Sequence, residues 1–432
     1  MAGTVKALNY KISVSPSNSH SLLLPSIPAQ LTLFNSQLPK INLCLNPFHS
    51  IRNPLVLHLQ SRYQLSSIRA TAASSDSADN GEGKQSGDAL KWARPLIEIA
   101  SNNFLPLALI GGVFLGLANP GLGCAADRYY MSKLSTFCIF IISGLTLRSQ
   151  EIGAATKAWP VGIFGLASIL LLTPAFARII LLLNLQPPEF VTGLALFACM
   201  PTTLSSGVSL TQLAGGNFAL ALAMTVISNL LGILVVPFTI TKYVAAGVGI
   251  SIPTNQLLRS LVITLLIPLI LGKIVRELFK GVADFADSNR KLLSNMSALF
   301  LGFVPWIQVS KSRSLLLTVN PTSFLLAIGL GVLLHIILLA FNALSIKILS
   351  SVSGGSKSVF YNRKNAIALL LVASQKTLPV MVAVVDQLGS AMGAPGLLIL
   401  PCVAAHINQI ILDSFFVNFL LQRDHVPLAK EA

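Results

Sequence analysis

Two short polar runs stand inside long aliphatic stretches of the chain. They are Cys199-Met200-Pro201-Thr202-Thr203-Leu204-Ser205-Ser206-Gly207 and Ala373-Ser374-Gln375-Lys376-Thr377-Leu378-Pro379. Proline removes a backbone donor and clashes with the preceding turn, so a helix passing through either run should break there. A break frees backbone carbonyls, and unpaired backbone persists in lipid only where protein or water surrounds it. Carbonyl, hydroxyl and amide oxygens gathered at such breaks suit a hard cation, and the exposed helix N-termini suit a carboxylate. The candidate ion- or substrate-binding residues are Thr202, Thr203, Ser205, Ser206, Gln375, Lys376 and Thr377, joined by Thr225, Asn229 and His406 on neighbouring stretches.

Lys376 is the outlier of the set. An ammonium at bilayer depth costs roughly 2.5–3.5 kcal/mol on insertion scales, so it requires a role or a partner. Three roles are open. Lys376 occupies the place of a bound cation and is regulated by protonation; it pairs with the carboxylate of an anionic substrate; or it forms a structural salt bridge with Asp386 or Asp413. Other polar residues at depth read more plainly. Arg178 lies late in its span and can snorkel to the interface. His335 reads as an interhelical hydrogen-bonding residue, and His406 with Asn408 and Gln409 as a polar cluster lining a cavity.

The elements carrying these residues are membrane helices. Of 432 residues, 53% are hydrophobic and 10% charged, with a mean hydropathy of +0.73. A water-soluble domain carries about 25% charged residues, so this surface has too little charge to face water. About 20 apolar residues cross the hydrocarbon core, and ten stretches qualify: 103–119, 130–147, 159–183, 189–213, 217–241, 255–277, 292–309, 323–347, 363–386 and 395–421. The first is short, and Pro106 interrupts it. The polar runs fall in the fourth and the ninth, equivalent places in two sets of five. Five is odd, so two such sets in one membrane run in opposite directions, the inverted-repeat plan of secondary transporters. The expected fold is an all-α membrane protein of about ten helices in two inverted five-helix repeats, the fourth and ninth broken and crossing. Lys and Arg are concentrated in the loops on the side of both termini, among them Lys273, Arg276, Lys280, Arg290 and Lys291, which places that side in the stroma or cytosol.

The net charge of +15 invites a nucleic-acid reading, and its distribution argues against one. Residues 1–75 hold Lys6, Lys11, Lys40, Arg52, Arg62 and Arg69, 13 serines and no Asp or Glu. That is the composition of a transit peptide. Its Ser, Pro and Asn content favours the chloroplast, and Ser66-Ser67-Ile68-Arg69-Ala70-Thr71 resembles a stromal processing site. The expected organisation is a transit peptide over 1–70, a flexible linker over 71–100, a transmembrane domain over 101–422 and a tail over 423–432. Within the transmembrane domain the repeats cover about 101–245 and 253–422. Five cysteines without CxxC spacing read as small buried hydrophobes.

From Pro187-Pro188-Glu189 and Gly193 through Met200-Pro201, Ser206 and Gly216-Asn217-Phe218-Ala219-Leu220 to Met224-Thr225 and Pro237, the sequence resembles the bile acid:sodium symporter family. It looks closest to the plastid sodium/metabolite cotransporters, in the divergent branch typified by the seventh member of the vertebrate solute carrier ten family. The resemblance covers about residues 100–422. It implies a core domain, a panel domain and two crossing broken helices that bind sodium behind a substrate cavity. Carried over, the first sodium site keeps Ser206 and Thr225, the two candidate metal ligands, while its asparagine reads Gly207, its fifth-helix serine reads Ala221 and its ninth-helix glutamate is absent. The glutamine of the second site reads Ile169, by spacing from Pro174.

The function expected is secondary-active, sodium-coupled transport of a small organic anion or metabolite across the plastid envelope, at its inner membrane, by alternating access. Sodium is the possible coupling ion; no other cofactor and no nucleic-acid partner is expected. A proton-coupled or uncoupled carrier and a regulator of ion homeostasis that moves no metabolite are the alternatives. An intramembrane enzyme is disfavoured, because the chain has no GxSG, GxGD or HExxH motif.

Overall fold

The computed structural model describes residues 104–148 and 158–425, and every element among them is helical. The expected transit peptide and linker, and the expected tail beyond residue 425, lie outside the described residues. In chain order the helices are α1 (Phe104–Ala118), α2 (Pro120–Arg128), α3 (Met131–Thr146), α4 (Trp159–Ile180) and α5 (Pro188–Ala198). They continue as α6 (Ser206–Leu213), α7 (Phe218–Val248), α8 (Thr254–Leu278), α9 (Lys280–Ser288) and α10 (Arg290–Leu316). The last are α11 (Pro321–Val352), α12 (Arg363–Ser374), α13 (Leu378–Leu388) and α14 (Pro395–His425).

Local chemistry sets several starts. The Asn217, Asn320 and Asn362 side chains accept backbone N–H groups of α7, α11 and α12, and Pro160, Pro188 and Pro321 occupy first-turn positions where no donor is lost.

Among the described residues, seven helices are long and apolar enough to cross a membrane, taking α12 and α13 as one broken helix; the bent pair α1–α2 makes eight. The shorter apolar helices α3 and α5 occupy the second and fourth expected spans. One detail departs from expectation. Pro106 sits harmlessly in the first turn of α1, and the interruption comes at Asn119-Pro120, where α2 turns away by 104°. The expected spans place 120–128 in a loop. Helix α2 has nine residues, too short for a span-length criterion to register.

The two halves pack in exchange. Helix α1 lies along α10 of the second half, and α8, its counterpart there, lies along α3. Both contacts are close because glycines face each other. A Cβ on Gly112 would strike the Gly302 backbone, and one on Gly272 would strike Ile141 beside Gly144. The end of each partner is capped alike. Arg313 Nε of α10 donates to Leu117 O at the end of α1 (2.7 Å), and Lys273 Nζ of α8 donates to Leu147 O after α3 (2.7 Å). Arg276 adds a bond to Leu145 O and an ion pair with Asp287, so basic residues read as a topological signal also serve as helix caps. Cys199 and Cys402 are buried, Cys124 and Cys138 half-buried, and all four are free thiols.

Candidate functional site

The two breaks touch. Helix α5 closes with short bonds from Cys199 N to Leu196 O and Met200 N to Phe197 O, after which Pro201 has no N–H to continue the ladder. Helix α12 ends at Ser374, and Gln375 is extended (φ −82°, ψ 151°). The stretch Gln375–Thr377 then crosses Pro201–Thr203. Thr377 N–H donates to Pro201 O (2.9 Å) and Thr202 Oγ1 to Val372 O (2.5 Å). Gln375 Oε1 accepts from both Thr203 Oγ1 (2.6 Å) and Ser206 Oγ (2.8 Å). Several backbone groups released by one break are therefore satisfied by the other, which helps irregular chain persist at membrane depth.

Lys376 reaches out of its own break and into the first half of the molecule. Its side chain is 1% exposed. The Nζ donates to Thr173 Oγ1 (2.6 Å), Met200 O (2.9 Å) and Ile169 O (3.2 Å), which accounts for all three ammonium protons. Ile169 and Thr173 belong to a stretch of α4 where a wide turn over Ser168–Leu172 is followed by a tight one over Thr173–Ala175. Such irregular turns loosen the regular ladder and leave carbonyls free to take outside donors. The structural salt bridge with Asp386 or Asp413 is overturned. Asp386 accepts from Ser132 Oγ (2.5 Å) and Gln308 Nε2, and Asp413 is held elsewhere. Ammonium-to-oxygen bonds satisfy this lysine without a carboxylate.

Asp413 joins three helices. Its Oδ1 faces His335 Nε2 of α11 (2.8 Å) and its Oδ2 accepts from Gln375 Nε2 (2.6 Å). His335 Nδ1 faces Ser374 O (3.3 Å). Both ring nitrogens thus face oxygen atoms, one on Asp413 and one on the Ser374 backbone. The chain of contacts runs from His335 through Asp413 and Gln375 to Ser206, which is half-buried at the rim of the break. A small crevice lined by Phe197, Gly331, His335, Ser374, Lys376 and Gln409 borders it.

Of the ten candidate residues, nine are drawn together around the breaks. Asn229 Nδ2 of α7 donates to Thr202 O (3.1 Å) and Thr225 O (2.8 Å). Asn229 Oδ1 and Thr225 Oγ1 are buried without a hydrogen-bond partner. His406 Nδ1 lies 3.2 Å from Lys376 O and 2.9 Å from Gln409 Nε2. Ser205 is the exception. It is exposed at the start of α6, and its side chain makes no capping bond there. Arg178 is exposed over the Tyr243 ring, as a snorkelling residue would be. The sequence reading missed Thr173, Ser168 and Asn342. Ser168 Oγ donates to Asn342 Oδ1 (2.7 Å), and Asn342 Nδ2 donates to Ser374 Oγ (3.1 Å), so this trio ties α4 to the second break. The signal available was the bare presence of buried polar side chains in mid-span, each of which must find a partner.

Comparison with known proteins supplies the family. The family model described as the SBF-like CPA transporter family matches residues 102–422. The chain is 64% identical over 345 residues to a protein of Arabidopsis thaliana named probable sodium/metabolite cotransporter BASS4, chloroplastic, covering 79% of this chain and 78% of that one. It is 61% identical over 329 residues to the protein of the same name from Oryza sativa subsp. indica, at 76% and 78% coverage. It is 26% identical over 290 residues to sodium/bile acid cotransporter 7 of Xenopus tropicalis, at 66% and 81% coverage. With the match covering residues 102–422 and both broken helices, this chain belongs to the SBF-like CPA transporter family.

Proposed function

We propose that the protein is a secondary-active carrier that moves a small organic anion or metabolite across the plastid envelope, at the inner membrane, by alternating access. The observation that carries this reading is the direct meeting of two broken helices, with their polar groups turned inward on one another at a site shared by both halves. Breaks of this kind place half-helix ends and freed carbonyls where an ion and a carboxylate can bind. Sodium is the coupling ion that the names of the relatives suggest. Thr225 Oγ1 and Asn229 Oδ1 are buried oxygens without a hydrogen-bond partner, and they suit a hard cation. Ser206, the other candidate ligand, gives its hydroxyl proton to Gln375 and keeps its lone pairs for a cation. The chloroplast address rests on the acid-free leader and on relatives named chloroplastic.

A proton-coupled cycle is the second reading, favoured by the buried His335–Asp413 pair. Uptake into proteoliposomes, screened over organic anions with sodium and pH gradients set independently, tests both. Uptake that follows sodium alone supports the first reading, and uptake that follows the proton gradient alone supports the second. A screen in which neither gradient moves any anion overturns the carrier reading in favour of ion regulation. Imaging the first ~80 residues fused to a fluorescent protein tests the address, and a cytosolic signal refutes it.

A further inference from the structure

The Lys376 ammonium has the surroundings of a bound cation. Its three oxygen partners come from two pieces of chain: adjacent wide and tight turns of α4, and the C-terminal end of α5. The end of α5 matters most, because the carbonyls of a helix C-terminus carry partial negative charge and the Met200 carbonyl has been released by the break. Half-helix C-termini and unwound carbonyls are how transporters coordinate inorganic cations. Here the positive charge is covalently attached and arrives from the opposite break. Gln409 and His406 fix the backbone of Lys376, so the side chain starts from a fixed point.

We infer that Ile169 O, Thr173 Oγ1 and Met200 O form a monovalent-cation cage that the protein fills with its own Lys376 ammonium. The tethered charge stabilises the meeting of the two breaks as a bound ion would, and it denies the cage to soluble sodium. Any sodium that binds therefore does so elsewhere, on the Thr225–Asn229 side, and the cycle carries one soluble cation fewer than the cages would allow. The consequence for stoichiometry rests on the carrier reading above. The occupancy of the cage does not.

Thermal unfolding of the full chain in detergent, with sodium chloride exchanged for choline chloride at constant ionic strength, tests the assignment. Lys376→Ala empties the cage, and its Tm should rise by about 2–4 °C more than that of the unaltered protein on adding roughly 0.1 M sodium. A response no greater than that of the unaltered protein overturns the assignment. If Lys376→Ala does not fold, acylation of the unaltered protein decides. Lys376 should react at least about tenfold more slowly than the exposed Lys280 and Lys291, equally in sodium and in choline. Labelling of Lys376 that rises with sodium shows the ion displacing the ammonium and refutes the proposal. Neither readout needs a transported solute, so a failed uptake screen and a failed cage assignment are separate results.

Discussion

The side-chain amide of Gln409 spans the backbone of Lys376. Its Oε1 accepts from the Lys376 N–H (2.9 Å) and its Nε2 donates to the Lys376 carbonyl (2.7 Å). A single residue of α14 thereby supplies both bonds that a helix would have given Lys376 had α12 continued. Gln409→Leu leaves the buried Lys376 N–H without its partner, at about 1–3 kcal/mol, and the Lys376 carbonyl with only His406 Nδ1 facing it. The substitution should lower the Tm of the purified protein by several degrees. A Tm within one degree of the unaltered protein would show that the break is supported by something else.

His335 and Asp413 form one energetic unit with Gln375. Breaking a buried pair by removing one partner costs about 3–5 kcal/mol, since the remaining group is left uncompensated. The expected result is strong non-additivity between His335→Phe and Asp413→Ala, with a coupling of about 1–3 kcal/mol in a double-mutant cycle read by thermal unfolding. Additive losses would mean that each residue is held by different neighbours.

The architecture around these residues was more legible than the contacts within it. Pro201 and Pro379, set among polar residues in aliphatic stretches, announce their breaks through the loss of a donor, and both breaks are present. Lys376 was visible as a cost requiring an answer. The answer was not, because two of its three partners are backbone carbonyls, at Ile169 and Met200, whose side chains have no bearing on hydrogen bonding. Ile169 lies 207 positions away, and no local pattern reports such a pairing. Ser205 was selected for its hydroxyl and turned out exposed, because residue type alone does not say on which side of a break a side chain falls. The α2 helix was missed for a related reason. A short surface helix with few apolar residues resembles a loop when hydropathy is the guide.

Thr173 tests the Lys376 cage from the opposite side. Its Oγ1 donates to Ser168 O (2.9 Å) and accepts from Nζ, so it passes the charge on to a backbone carbonyl. Thr173→Val keeps the volume and removes the hydroxyl, leaving one ammonium proton without an acceptor. A hydrogen bond to a charged group contributes about 1.5–3 kcal/mol, and a loss of that order is expected. Thr173→Ser restores the hydroxyl and should recover most of it. Equal losses in the two variants would trace the effect to packing instead.

The exchanged packing of the halves makes glycines at two contacts irreplaceable and others dispensable. Gly272→Leu forces α8 away from Ile141 and Gly144, and overpacking of this kind costs about 1–3 kcal/mol. Gly111 and Gly329 have nothing within 4 Å of where a Cβ would stand. Alanine there should be neutral or stabilising, by up to about 1 kcal/mol, since it removes helix-interior glycine. A Tm series over these three variants checks the contrast, and a destabilising Gly111→Ala would place an unseen neighbour against that face.

Asp287, outside the spans on α9, gives a pH dependence whose sign follows from its partners. The hydrogen bond from Arg276, with Arg148 on its other side, holds the carboxyl below the usual carboxylate range against a smaller opposing effect of burial. A group whose folded pKa is depressed contributes stability above its unfolded pKa and loses it as pH falls through the folded value. The carboxyl is a third exposed, so solvent screening limits the gain to about 1 kcal/mol or less. Asp287→Asn should therefore unfold at a slightly lower temperature than the unaltered protein at neutral pH. The two should converge as acid protonates the carboxylate, because the asparagine variant has nothing there to lose. Curves of Tm against pH check this, and a gap that persists unchanged into acid would assign the effect of Asp287 to hydrogen bonding independent of its charge.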